Sequence, residues 1–213
     1  AENAARVHER DPTRFGTWAS NKKLKDVCLA HATLIAFNSY PAWYGGTGDL
    51  GEPARFWNEQ AAAVFNGSTA SGAAATVGKP LVISETGAGG IYEWDHNATD
   101  AQWTLRYQSE VILADVDVAL SNERISGITL WHFFDFKVND AAENGTACQY
   151  APGVFPPTCT SIALSFRPGG ENHKGVVDFW RRPKPAFAQV AARFNASRLR
   201  QNTGRKPPHH HTH

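Results

Sequence analysis

Apolar and polar positions follow one another along this chain in two rhythms. Residues 34–37 (LIAF) and 81–84 (LVIS) are short continuous apolar runs, the first closed by Asn38-Ser39-Tyr40-Pro41 and the second by Glu85, Thr86 and Gly87. Such runs predict strands buried on both faces, the habit of parallel sheets. Residues 127–136 (GITLWHFFDF) predict a third strand, and residues 15–19 a shorter one. Helical spacing fills the intervals. Residues 1–10 read as a helix stopped by Asp11-Pro12, because a residue before proline avoids the α region. Residues 53–65 read as a helix with Pro53 in its first turn. Thr99 with Gln102 reads as a capping box, opening a helix whose stripe is Trp103, Tyr107, Val111, Ala114 and Val118. Residues 184–194 predict a last helix. Small residues make 66–78 a linker, 138–171 is an irregular insertion, and composition predicts disorder from Ser197 to the HHHTH end.

Strands alternating with amphipathic helices predict an α/β fold built on a parallel sheet. Polar and aromatic residues gather just past each strand: Asn38 and Tyr40, Glu85, then Trp131 and Asp135. In a parallel barrel the strand C-termini meet on one rim around a substrate. No G-x-G-x-x-G follows any strand, which argues against a dinucleotide-binding fold. The expectation is therefore a (β/α)8 TIM-barrel type of which this chain holds only the C-terminal half, about four βα units over residues 1–196, with 197–213 a basic, His-rich tail.

Composition narrows the function classes. The 213 residues hold 21 basic and 20 acidic side chains, so net charge gives no reason to expect a nucleic-acid partner. No apolar run approaches the roughly 18 residues of a membrane span. The lack of Met, with Ala at position 1, reads as processing or as a piece of a longer polypeptide. Cys148 and Cys159 bracket a Pro-rich loop that a disulfide would close, leaving Cys28 free. Four N-x-S/T sequons (Asn66, Asn97, Asn144, Asn195) fall where loops or helix ends are expected. Together these point to a secreted or lumenal protein, with the cytoplasm as the alternative. The cysteine spacings suit no zinc site, and no metal or cofactor is expected.

Glu85 is the sharpest single residue. A carboxylate carried by an apolar strand to the sheet rim, beside the flexible TGAGG segment, has the fixed backbone and open side that a nucleophile or general base requires. Pairing with a neighbouring Arg or Lys is the competing role. Tyr40, Trp43, Tyr44 and Trp131 supply rings that can stack on sugar faces, whereas Phe133 and Phe134 read as core.

Four segments in order, FNSYPAWYGGTGDL, PLVISETGAGG, ITLWHFFDF and ENHKGVVDFWRRPKPAF, resemble the C-terminal half of the catalytic barrel of glycoside hydrolase family two, its β-glucuronidases above all. ERDPTR near the start is similar to the segment that follows the family's acid/base strand. The resemblance covers residues 1 to about 194 apart from the 138–165 insertion. It implies a retaining exo-glycosidase in which Glu85 is the nucleophile. The acid/base would be the Glu of an Asn-Glu pair preceding the ERDPTR-like segment, and no such pair stands there. Asn38, Tyr40 and Tyr44 match the family's N-x-Y-x-x-x-Y rim, and Trp131 a ring at the pocket floor. Asn172 and Lys174 match the N-x-K motif that binds the C6 carboxylate of a glucuronide, and Arg167 stands near another carboxylate-side Arg, one residue out of register. The partners implied are a glucuronide or related glycoside, the remainder of the same polypeptide, and further copies of the chain. A galactosidase- or galacturonidase-like activity and a non-catalytic carbohydrate-binding role are the alternatives.

Overall fold

The computed structural model describes residues 2–44, 48–92, 102–138, 148–149, 158–159 and 167–204. Its centre is a four-stranded sheet of β1 (Ala19–Ser20), β2 (Ile35–Asn38), β3 (Leu81–Thr86) and β4 (Ile125–Leu130), in that order and with every pair parallel. The chain moves one place sideways at each crossover and never turns back, unlike a doubly wound sheet. After α1 (Glu2–Arg10), the helices α2 (Glu52–Phe65) and α3 (Ala73–Thr76) lie between β2 and β3, α4 (Leu105–Ser121) joins β3 to β4, and α5 (Pro185–Gly204) comes last. Between β1 and β2 there are only two 3-10 turns, Lys23–Lys25 and Leu29–His31, so three of the four strands are followed by a helix.

One face of the sheet is buried. Ile35, Phe37, Leu81, Ile83 and Ile125 pack on Trp57, Ala61 and Val64 of α2 and on Val118 and Ala119 of α4. On the other face the register lines up Ala36, Val82 and Gly127, with the half-buried Ser84 and the exposed Thr129 further on. The expectation of strands buried on both faces is thus corrected: the second face carries small side chains, is buried at Ala36 and opens towards Ser84 and Thr129. A second apolar cluster lies beyond the strand ends, where Trp43, Ile91, Trp103 and Tyr107 meet Val111 and Val116 of α4 and Val190 of α5.

Local chemistry moved several boundaries. The cap of α4 is Thr104, whose hydroxyl accepts the Tyr107 N–H at 3.1 Å, and not Thr99, which lies outside the described residues. The expected third strand stops at Leu130. The chain then passes through a cis Trp131–His132 peptide to β5 (Phe136–Lys137). Phe133 and Phe134 are 60% and 39% exposed, which corrects their reading as core. In the 138–171 segment β6 (Cys148–Gln149) and β7 (Thr158–Cys159) form an antiparallel ladder, and β8 (Glu171–Asn172) pairs with β5. Helix α5 continues to Gly204, because 197–203 contains neither Pro nor Gly, and Asn195 therefore lies inside a helix. Asn97 and Asn144 are outside the described residues.

A buried carboxylate fastens the layers beneath the rim. Asp115 of α4 accepts the Trp57 indole N–H at 2.7 Å and the Thr86 hydroxyl at 2.8 Å, joining α2, α4 and the end of β3. Burial pushes the Asp115 carboxyl up to about 7, against the pull of these two hydrogen bonds.

Candidate active site

Glu85 is the fifth residue of β3 and is half-buried at the C-terminal end of the sheet. A register shift between Phe37 and Asn38 sets Asn38 directly beside it. The Asn38 amide donates to Glu85 Oε2 at 2.6 Å, and the Tyr40 hydroxyl donates to Oε1. Ser84 donates to Asn38 Oδ1 at 2.8 Å, which fixes the amide so that its N–H2 faces the carboxylate. The Glu85 carbonyl is held by the Ser39 N–H at 3.0 Å. Burial, then the hydrogen bond to Glu85, raise the Tyr40 phenol far above its ordinary range, so it remains a donor. A cleft of about 500 Å³ opens over this group, lined by Asn38, Tyr40, Tyr44, Glu52, Phe56 and Glu85.

The second half of the site is a cation in a cage of rings. Lys174 is 2% exposed. Its ammonium donates to the Tyr44 hydroxyl at 3.0 Å and stands 4.7 Å, 4.9 Å and 5.4 Å from the ring centres of Tyr44, Trp43 and Tyr40. Ring faces offer a desolvated cation partial compensation. Burial, then the nearby Arg167 charge, lower the Lys174 ammonium to about 7, while Glu85 pulls it upward. Arg167 also acts on Tyr40, so it belongs to the same group. Asn172 is buried, with its side-chain oxygen accepting the Lys174 N–H at 3.2 Å; it shapes the turn that presents the lysine.

Trp131 stands at the end of β4, 40% exposed, its N–H bonded to the Thr86 carbonyl at 2.7 Å. A Cβ on Gly87 would lie 2.4 Å from the Trp131 oxygen, so the close approach of these two segments needs a glycine there. The structure thus brings Glu85, Asn38, Tyr40, Tyr44, Arg167, Asn172 and Lys174 into one connected group, with Trp131 held on the strand next to Glu85. Trp43 was singled out in the sequence only as a ring; its contact with Lys174 joins residues far apart in the chain, so spacing carried no sign of it. Glu52 and Phe56 on the first turns of α2 were missed because a helix N-terminus beside a Gly-rich loop has no chemical signature. Among the described residues no group of His, Cys, Asp or Glu could hold a metal ion, and no helix is long and apolar enough to cross a membrane.

No family model and no curated protein matches the chain. Solved structures do. The chain is similar to the GH2 beta-galacturonidase from Eisenbergiella tayi bound to galacturonate, with a TM-score of 0.69 and 26% identity over 92% of this chain and 29% of that one. The beta-D-glucuronidase from Dictyoglomus thermophilum shares its fold, with a TM-score of 0.65 and 24% identity over 91% of this chain and 28% of that one. So does the beta-glucuronidase from Bifidobacterium dentium complexed with coumarin-3-O-glucuronide, with a TM-score of 0.65 and 20% identity over 91% and 26%. The chain therefore spans less than a third of the length of these enzymes, and its resemblance to glycoside hydrolase family two holds in three dimensions.

Proposed function

We propose that this chain is the nucleophile-bearing part of a retaining exo-glycosidase of glycoside hydrolase family two, acting on β-D-glucuronides. The observation that carries this reading is the pairing of Glu85, held by two donors in an open cleft, with a buried lysine one tyrosine away. A Glu85 oxygen attacks the anomeric carbon, the bond to the aglycone oxygen breaks, and a glycosyl ester forms that water later hydrolyses. Asn38 and Tyr40 fix the direction of the carboxylate. Lys174, with Arg167 beside it, receives the C6 carboxylate by a charge-assisted hydrogen bond. The proton for the leaving oxygen comes from an acid roughly 5–5.5 Å from the nucleophile in retaining enzymes, supplied in our reading by the remainder of the polypeptide. The unreversed parallel strand order supports assigning the sheet to half of a (β/α)8 barrel.

Galacturonide hydrolysis is a second reading, supported by the 26% identity to a beta-galacturonidase. Both sugars carry the same carboxylate, so Lys174 serves either. We further place the protein in an oxidising compartment, on the strength of the cysteine register.

The test bypasses the missing acid. The chain is incubated with 2,4-dinitrophenyl 2-deoxy-2-fluoro-β-D-glucuronide, whose leaving group departs without protonation. We expect slow formation of one covalent adduct on the peptide containing Glu85, none in Glu85→Gln, and background turnover of ordinary aryl glucuronides. Loss of general-acid assistance alone accounts for about two to four decades of rate. No adduct, or an adduct elsewhere, refutes the reading and leaves a non-catalytic sugar-binding role. Faster labelling by the 4-epimeric galacturonide selects the second sugar.

A further inference from the structure

Lys174 is held by more than its own turn. Lys184, in the residue before α5, is also fully buried, and its ammonium donates to both oxygens of Asp135 at 2.9 Å and 2.7 Å, to the Gly90 carbonyl at 2.7 Å and to the His173 carbonyl at 3.0 Å. Asp135, one of the polar residues that the sequence places just past a strand, accepts the Gly175 N–H at 2.7 Å on its other side. Gln108 reaches across from α4, and its amide donates to the Gly175 carbonyl at 2.9 Å and the Ala88 carbonyl at 3.0 Å, with the His173 carbonyl at 3.4 Å. Gly90 and His132 add backbone donors to the His173 and Lys174 carbonyls, at 2.9 Å and 3.2 Å.

Six of these bonds end on residues 173–175, the peptides on either side of Lys174, and the other four tie Lys184 to Asp135 and Gly90 and Gln108 to Ala88. A Cβ on Gly175 would lie 2.4 Å from the Asp135 nitrogen and the Val177 oxygen, so the segment is pressed against this group without slack. A buried, charged network in which Lys184 and Asp135 satisfy each other strongly prefers one arrangement, although the Gln108 side-chain oxygen has no partner in it. By contrast, Lys174's own side chain has long flexible reach and would otherwise sample many rotamers, several of them away from the rings.

We propose that Lys184, Asp135 and Gln108 form a clamp of positioning residues that seats Lys174 in its cage of Tyr40, Trp43 and Tyr44. None of the three touches the cleft; each acts through the backbone of residues 173–175. The proposal rests on the reading of Lys174 as the uronate-binding cation only for its consequence in catalysis. The positioning itself is independent of any sugar.

The test uses that independence. The chain is prepared with 13C at the lysine ε-carbons, and the Lys174 signal is assigned by its disappearance in Lys174→Arg. Three rings within 5.4 Å shift its ε-proton signal strongly upfield of the other lysines. In the charge-neutral pair Asp135→Asn with Lys184→Met we expect at least half of that shift to vanish while the signal of Lys79, which precedes β3 at the end away from Glu85 and bonds the Ala30 and Ala32 carbonyls, stays. Gln108→Met, which creates no buried charge, should move the signal the same way by a smaller amount, and it decides the matter if the double variant does not fold. A folded variant that has lost melting temperature but keeps the Lys174 signal in place overturns the proposal, because a purely structural network predicts that result. If the clamp variants move the signal while Lys174→Ala leaves uronate selectivity unchanged, the clamp stands and the function assigned to Lys174 falls; the reverse pattern removes only the clamp.

Discussion

Lys174→Ala in the complete enzyme should separate uronates from neutral sugars. The ammonium is already desolvated, with a tyrosine hydroxyl at 3.0 Å as its hydrogen-bond acceptor. A carboxylate arriving at that position gains an ionic hydrogen bond without the cost of stripping water from the lysine. Hydrogen bonds to charged groups contribute about 1.5–3 kcal/mol, and about 1.4 kcal/mol is tenfold, so kcat/KM for an aryl glucuronide should fall about tenfold to a hundredfold. The matching glucoside offers no carboxylate and should change little. Proton affinity adds a second signature. Because burial and Arg167 bring Lys174 down to about 7, the cation is lost as pH rises through neutrality, and wild-type kcat/KM for the glucuronide should decline above that point. That alkaline limb should disappear in Lys174→Ala and be weak for the glucoside. Steady-state assays of both substrates from pH 5.5 to 8.5 check this. Equal losses for the two sugars, or an unchanged limb in the variant, would refute the assignment of Lys174 to the carboxylate.

Three further outcomes test other parts of the structure. Asp115 in the folded chain keeps its proton up to about 7, against 3.8 when unfolded, so its contribution to stability declines as pH rises from 3.8 to 7; urea midpoints of wild type and Asp115→Asn should diverge across that interval, and parallel curves would show Asp115 to be ionised throughout. Gly87→Ala places a Cβ 2.4 Å from the Trp131 oxygen; overpacking of this kind costs about 1–3 kcal/mol and should shift tryptophan fluorescence as the chain at Trp131 gives way. Cys148 and Cys159 stand opposite each other in the β6–β7 ladder. Opposed residues have Cα atoms about 4.5–5.5 Å apart, within disulfide range, so denaturing, non-reducing thiol titration should find one free thiol, and finding three would remove the support for an oxidising compartment.

Much of the site could be read from the sequence because its residues lie at strand ends, where an apolar run meets a polar residue. That rule located Asn38, Tyr40, Glu85 and Trp131 before any coordinates. Strand ends were less legible where aromatic residues continued the apolar run: nothing in WHFFDF marks Leu130 as the last residue of β4, since Phe133 and Phe134 look like core yet stand exposed. The Thr104 cap was obscured by the better-matched Thr99. The open face of the sheet was hidden because Ala36, Val82 and Gly127 are as apolar as the buried face, and hydrophobicity alone cannot report whether something covers them. Lys184 and Gln108 had no signature at all, because their partners are backbone carbonyls that every residue possesses.

Tyr40 touches both charges of the site, its hydroxyl on Glu85 and its ring 5.4 Å from the Lys174 ammonium. One rigid phenol therefore spans the two, and the negative charge of Glu85 is part of what keeps Lys174 protonated. Esterifying Glu85 during a catalytic cycle would cancel that charge. The lysine would then hold its proton less firmly in the covalent intermediate than in the resting site, and its grip on the far end of the sugar would rest on the substrate's own carboxylate. On the proposed mechanism, bond making at one end of the sugar ring would thus register as a change of acidity at the other.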